Sequence, residues 1–573
     1  LIHTLSLHDA LPIFVSVILR DRNDVQIKDS AVDGLLSRLR EDMTDPERRH
    51  VTFNFLRAVL DSKLESAVVY DTMDYVGTVM VTNDDKDTRD LARGAYFQFL
   101  REYPQKKNRW QKQLAFIVAN LNYEREGGRL SILEVLHLLL SKSSNDFIQE
   151  VSATCFVPLV FVLANDDSEK CRMAAGEIIK EIFRKADSEH ITTFLNLLRS
   201  WIRQEDNTAV QRLAFQSYGF YYEAQDAPPD NDVNELQTCI QHSLKNSSGT
   251  ESDWELLYSA LQLATTLCEK FPSRLLAAGA VDMWASIRTC LTYPHAWVKL
   301  SSAKLMGVYF TDFARANMES GLSDLPLAGS KGLSLDADDI RDLIRRTASM
   351  FKTPGLTDLL ANEIVKNLNF LGRIAASSSL KWKKPRGDDA DVSDDEEEAV
   401  SEDGKKLTAL NYIFGRISFI LRRESSPPRA AVLVPKTAAL KLSQMLCAKL
   451  DSGTLAPCLA TILLPLHNLT DRNIPVPYST DDLFKSNYEN IKTDCTELME
   501  QLKIKCGTSI YTEQLLKVRQ GVRERREQRS SKRKIEAVSA PEKFGKDKQK
   551  KVERKKERRK EKGMEHRDLR RGF

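Results

Sequence analysis

The 573 residues are 42% hydrophobic and 29% charged, enough apolar material for a sizeable core and, by domain-size statistics, room for about four ordinary domains. With only 24 glycines and 19 prolines the chain lacks the turn residues that an all-β fold of this length consumes, so the composition leans helical. The net charge of +3 conceals a segregation: residues 517–573 carry 24 Lys/Arg against 10 Asp/Glu, and 10 further acids fall between Asp388 and Asp403 with no basic residue among them.

The opening His3–Ile13, HTLSLHDALPI, looks like translated read-through of a sequencing-library adapter, so residues 1–13 are set aside from fold reasoning. The first residues carry no basic stretch of the kind that opens a secretory signal. The chain then enters in mid-helix near Phe14 without an initiator Met, and it is expected to be the C-terminal part of a longer protein.

Residues 14–380 alternate amphipathic stretches with short polar breaks. In His190–Gln204 the residues Ile191, Phe194, Leu195, Leu198, Trp201 and Ile202 recur at three- and four-residue steps, which places them on one face of a helix. Ser252 and Glu255 have the spacing of a capping box that opens the next apolar segment. Residues 156–175, FVPLVFVLANDDSEKCRMAA, read as an apolar helix with internal Pro158, an Asp-containing turn, and a second helix with Arg172 and the small Ala174 and Ala175. This resembles the HEAT-repeat pattern. Positions Asn54, Ala95, Glu134, Ala174, Ala214, Ala260 and Ala303 follow one another at steps of 41, 39, 40, 40, 46 and 43 residues, the period of helix-pair repeats. One pair cannot cover its own apolar face, so neighbours stack; the expected fold class is an all-α, HEAT-type α-solenoid. The register fails after Ala303, where Gly321–Gly332 reads as a loop insertion.

Residues 385–406 form an acidic insert that cannot bury a core and is expected to be disordered. Within it Ser393, followed by Asp394, Asp395 and Glu396, is a possible phosphosite for an acidophilic kinase. The insert separates two similar phrases, FLGRIAAS and IFGRISFI, and helical repeats resume over 407–507 as a cap.

Residues 508–573 are read as a charged, partly helical basic tail. It has few apolar residues to pack with and is expected to order against a polyanion. Arg523, Arg525, Arg526, Arg529, Lys532, Arg533, Lys534, Lys550, Lys551, Arg554, Lys555, Lys556, Arg558, Arg559 and Lys560 are the candidate RNA-binding residues, as phosphate contacts. Phe544 and Phe573 are the only aromatics after Tyr511, so the tail grips backbone instead of stacking on bases. A nuclear localisation signal is the other reading of SKRK and KKVERKKERRK, and both can hold together.

The search for chemistry is negative. No phosphate-binding, dinucleotide, zinc-protease or nucleophile-elbow motif occurs, and the histidines after residue 13 (His50, His137, His190, His242, His295, His467, His566) are isolated. No catalytic residue, cofactor, metal or small-molecule substrate is expected, and the chain is not read as an enzyme. The nine cysteines stand singly, the nearest 11 residues apart, as buried thiols of a reducing compartment. The longest uninterrupted apolar run, Cys155–Ala164, is ten residues and contains Pro158, so no membrane span is expected.

The order of parts carries a resemblance. A HEAT solenoid, an acidic insert between FLGRIAAS and IFGRISFILRRE, then VRQGVRERREQRSSKRKIEAV and a Lys-rich end resemble the C-terminal region of the down-regulated-in-metastasis family. The resemblance implies a nuclear, nucleolar component of the small-subunit processome, associated with U3 small nucleolar ribonucleoprotein and needed for processing the small-subunit rRNA precursor. Its expected partners are pre-rRNA or U3 RNA and other processome proteins. The alternative is a HEAT-repeat nuclear transport receptor or adaptor that binds protein cargo and has no need of a long basic tail.

Overall fold

The computed structural model describes residues 7–22, 25, 27–105, 108–204, 206–246, 254–382, 408–425, 427–471, 477, 479, 481–539, 545, 549, 552, 553 and 556. The fold is all-α, a HEAT-type solenoid. It divides into two compact units, residues 1–308 with 331–333 and residues 309–330 with 334–573.

The first unit opens with α1 (Leu7–Asp21) and continues as antiparallel pairs: α2 (Asp29–Leu39) with α3 (Arg49–Asp61), α4 (Ala67–Thr82) with α5 (Lys86–Glu102), and α6 (Arg109–Asn120) with α7 (Glu126–Lys142). Then come α8 (Asn145–Asn165) with α9 (Glu169–Lys185), α10 (Ser188–Ile202) with α11 (Thr208–Ala224), and α12 (Val233–Asn246) with α13 (Trp254–Lys270). The short α14 (Pro272–Leu275), α15 (Val281–Cys290) and α16 (Ala296–Ala316) follow. The second helix of each pair also packs on the second helix of the next, from α3 through α5, α7, α9 and α11 to α13. This is why a period near 40 residues is visible: each repeat contributes one helix to a continuous row. α1 packs on α3, and the division drawn at residue 13 falls inside it.

All seven periodic positions fall on this row or on α16, and Ala95, Ala214, Ala260 and Ala303 are fully buried. Asn54 and Glu134 are exposed and Ala174 is half-buried; their neighbours Phe55, Val135 and Ala175 are the buried ones. The period was legible and the register was off by one residue there. Ser252 lies outside the described residues, and α13 begins at Trp254.

The turns within pairs share one device. Arg89, Arg129 and Arg172, on the first turn of α5, α7 and α9, each reach back to the carbonyls six and five residues before them: Asn83 and Asp84, Tyr123 and Glu124, Asp166 and Asp167, at 2.6–3.2 Å. Carbonyls left over at the end of the preceding helix or in its turn are thereby satisfied by a charged donor. Arg129 also spans to the next repeat, where Nε and Nη2 donate to the two oxygens of Asp166 at 2.8 and 2.9 Å. Arg49 likewise donates to Thr88 and pairs with Asp85 of the following pair.

α8 is a correction to the expectation that nothing here is long and apolar enough to cross a membrane. Its 21 residues meet that test by length and mean hydropathy, because Ser152 and Thr154 interrupt the apolar run without lowering the average much. The structure gives its apolar residues another partner. Ile148, Val151, Cys155, Phe156, Leu159, Val160 and Val162 are buried, with α8 packed against α6, α7, α9, α10 and α11.

In the second unit an antiparallel hairpin of two-residue strands begins with β1 (Leu327–Ala328) inside the segment read as a loop insertion and closes with β2 (Ser334–Leu335) just past its end at Gly332. Asp312 holds it by accepting from the backbone N–H of Ser330 at 3.0 Å. Then follow α17 (Ala337–Ser349), α18 (Asp358–Ser377), α19 (Ala409–Arg422), α20 (Val434–Lys449), α21 (Ser452–Leu455), α22 (Leu459–Thr470), α23 (Asp482–Cys506) and α24 (Thr508–Ser539). The two similar phrases end α18 and build α19. At Gly372 the missing side chain lets Leu446 of α20 approach to 2.8 Å from where a Cβ would stand.

The acidic insert at 385–406 and Ser393 lie outside the described residues. Their flanks do not. Lys381 and Thr408 form an antiparallel bridge, Ala409 N–H donates to the Leu380 carbonyl at 2.7 Å, and Trp382 stacks on Tyr412 at 3.8 Å. The chain therefore leaves and re-enters the unit at one point.

Candidate nucleic-acid interface

The candidate interface lies on α24, which α23 positions. α23 carries a stripe of Phe484, Tyr488, Ile491, Cys495, Leu498, Leu502 and Cys506 at three- and four-residue steps, all buried. Gly507, with φ +85°, then reverses the chain in a conformation that favours glycine. α24 returns along α22 and α23. Tyr511 and Val518 are buried and Leu515 and Val522 half-buried, again at three- and four-residue steps.

That stripe corrects one expectation. The tail reads as having little to pack with, yet its first fifteen residues dock on the helices before them. The high overall charge of 508–573 masks the apolar period at its start. Where the stripe ends, Arg526 continues it with an ion pair to Asp471 at 3.5 Å; the backbone N–H of Asp471 closes the end of α22 on the His467 carbonyl, and its side chain is only 13% exposed. His467, one turn earlier on α22, lies beside Arg519 and Arg526, and its buried Nδ1 has no hydrogen-bond partner among the described residues. Burial, followed by the positive charge of Arg519, holds its imidazole below the ordinary histidine range, against the opposing pull of Asp471. Tyr511, Leu515, Val518, Val522, Asp471 and His467 are the residues the sequence reading missed.

Beyond Arg526 every residue of α24 whose side chain is described is exposed. Of the candidate RNA contacts, Arg523 pairs with Glu527 along the helix at 3.1 Å and Arg526 is taken up by Asp471. Arg525, Arg529, Lys532, Arg533 and Lys534 are exposed and make no ion pair among the described residues. Lys556 is exposed and helical. Lys550, Lys551, Arg554, Lys555, Arg558, Arg559 and Lys560 lie outside the described residues.

In the first unit, by contrast, cross-helix ion pairs along the row of second helices balance charges of opposite sign: Arg93 with Glu134, Lys180 with Glu223 at 2.8 Å, and Arg212 with Glu255. A polar recess between the α4–α5 and α6–α7 turns is closed in the same way by Arg125 with Asp84 and Lys170 with Glu126. Burial pushes the thiols of Cys155, Cys268, Cys290, Cys447, Cys458 and Cys495 up to about 12, which leaves them without nucleophilic thiolate near neutrality. No group of three or more metal-ligating side chains occurs among the described residues.

Comparison with known proteins adds the family. The U3 small nucleolar RNA-associated protein 20 of Saccharomyces cerevisiae is 31% identical over 533 residues, and that of Schizosaccharomyces pombe 28% over 534. Each alignment covers 92% of this chain and 20% of the relative, so the chain spans about a fifth of the length of the curated relatives it matches. A crystal structure of importin beta aligns with 90% of this chain and 63% of its own at a TM-score of 0.41 and 10% identity, which says nothing of cargo. The family model described as small subunit processome component 20 homolog, C-terminal, matches residues 210–565, most of the second half of the solenoid, the insert and the basic tail, and the chain belongs to that family.

Proposed function

We propose that this chain is a non-catalytic scaffold portion of a small-subunit processome component, acting in the nucleolus in the processing of the small-subunit rRNA precursor. In this reading the helical repeats offer surface to other processome proteins. The exposed end of α24 and the basic residues after it hold pre-rRNA or U3 RNA by its phosphates. The observation that carries the RNA contact is the division of α24: apolar and docked as far as Val522, cationic and exposed beyond Arg526. Residues 517–539 hold nine Lys/Arg against three Asp/Glu, and such a strip releases condensed counterions when it neutralises phosphates.

The test is RNA affinity as a function of salt for the chain cut after Arg526. Cutting at residue 517 would also strip Val518 and Val522 from the docked stripe, so the later cut separates binding from folding. Loss of at least about tenfold in affinity with a shallower salt slope is expected. Unchanged binding by the shortened chain overturns the proposal.

A further inference from the structure

We infer that α24 presents RNA with a one-sided row of phosphate contacts, Arg525, Arg529, Lys532 and Arg533, aimed by the docked half of the same helix, and that the row takes the backbone of paired RNA. The inference rests on the RNA-binding reading above and narrows it.

Successive residues of an α-helix turn by about 100°. On that measure Arg525, Arg529, Lys532 and Arg533 fall within the same sector, about 100° wide, as Tyr511, Leu515, Val518 and Val522. The face that packs on α22 and α23 in the first half of the helix thus becomes the cationic face in the second. Glu513, Glu524 and Glu527 lie on the opposite side, where Glu513 and Glu527 pair with Lys517 and Arg523. Arg526 stands at the edge of the row, held by Asp471, and is a positioning residue: it sets the direction of the row and gives up its own charge to do so. The row advances about 12 Å along the axis from Arg525 to Arg533 and ends at Glu536.

The ligand follows from what the helix lacks. Unpaired RNA is recognised by stacking its bases on aromatic rings, and no aromatic residue occurs from Thr512 to Lys543, while Tyr511 is buried. A rigid row of cations suits a backbone whose phosphates are already arrayed by pairing.

The test uses the full chain and two fluorescent probes, an RNA hairpin of about 20 base pairs and an unpaired uridine strand of equal phosphate count, with anisotropy read at one salt concentration. The hairpin is expected to bind at least about tenfold more tightly. Two alanines inserted between Val522 and Arg523 turn the row by about 200° at constant charge, and seven turn it by about 700°, back to within about 20° of its sector. Both insertions sacrifice the Arg526–Asp471 pair, so they differ in phase. The two-residue variant should lose about tenfold in hairpin affinity and the seven-residue variant less than about threefold, with equal melting temperatures. Equal affinity for the two probes, or equal affinity of the two insertion variants, overturns the inference. If the unaltered chain binds neither probe, the RNA-binding reading itself fails, and this inference with it.

Discussion

Arg129 makes the most economical use of one side chain in the molecule. Its guanidinium closes the α6–α7 turn through two carbonyls and grips Asp166 of the next repeat with both oxygens, the two side chains being 9% and 3% exposed. Truncation leaves a buried carboxylate without its partner, and removing one member of such a pair costs about 3–5 kcal/mol. Arg129→Ala should therefore lower the denaturation midpoint far more than Arg125→Ala, whose pair with Asp84 is exposed; equal effects would count against the role given to Arg129. His467 supplies a pH dependence. Its imidazole takes a proton less readily folded than unfolded, so stability is full above its ordinary pKa of 6.5 and falls as pH drops below that value. Urea midpoints at pH 7.5 and 5.5 should differ, and His467→Gln should narrow the gap; a gap of the same size in the variant would assign the effect to other groups. The Arg89, Arg129 and Arg172 spacing of 40 and 43 residues was in plain view in the sequence. Its meaning was not, because a backbone carbonyl as partner leaves no mark on residue identity.

Among the elements, α7 shows why a helix can open on two glycines despite their entropic cost. A Cβ on Gly128 would stand 2.4 Å from the carbonyl oxygen of Val81, near the end of α4, and backbone cannot yield as a side chain can. Gly128→Ala should destabilise by about 1–3 kcal/mol, whereas Gly34→Ala, inside α2 with nothing within 4 Å, should be neutral or stabilising by up to about 1 kcal/mol; shifts of the same sign and size for the two would refute this. The joint at Lys381 and Thr408 leads to a different expectation. Because the flanks already meet, replacing residues 386–404 by a short Gly-Ser link should change stability by less than about 1 kcal/mol, since loop closure depends only weakly on length. A larger loss would mean that the insert packs on the unit. Helix-pair periodicity was readable because burial repeats it seven times. At 54, 134 and 174 the register is one residue off because Asn54, Glu134 and Ala174 flank the buried residue, and spacing alone does not tell neighbours apart.

For the whole molecule the deciding quantity is where unbalanced charge resides. Cross-helix pairs such as Arg93–Glu134, Lys180–Glu223 and Arg212–Glu255 balance charge within the repeats, so the low net charge of the chain does not describe what a polyanion meets at α24. If Arg525, Arg529, Lys532 and Arg533 each neutralise one phosphate of a duplex, replacing all four by Gln should reduce the slope of log affinity against log salt by about 3–4. A slope reduced by less than about one would place the contacts elsewhere on the tail. Charge segregation, the basic tail and its likeness to a family were legible because composition and order of parts survive without geometry. The docked first half of α24 was not, since four apolar residues among many cations become a face only once a neighbouring helix is there to receive them.

The bridge between Lys381 and Thr408 has one more use. A folded module whose own ends lie close together, a fluorescent protein for example, could be grafted between them as a side branch, tracking the chain in a cell while both the solenoid before it and the basic helix after it keep their places in sequence and structure.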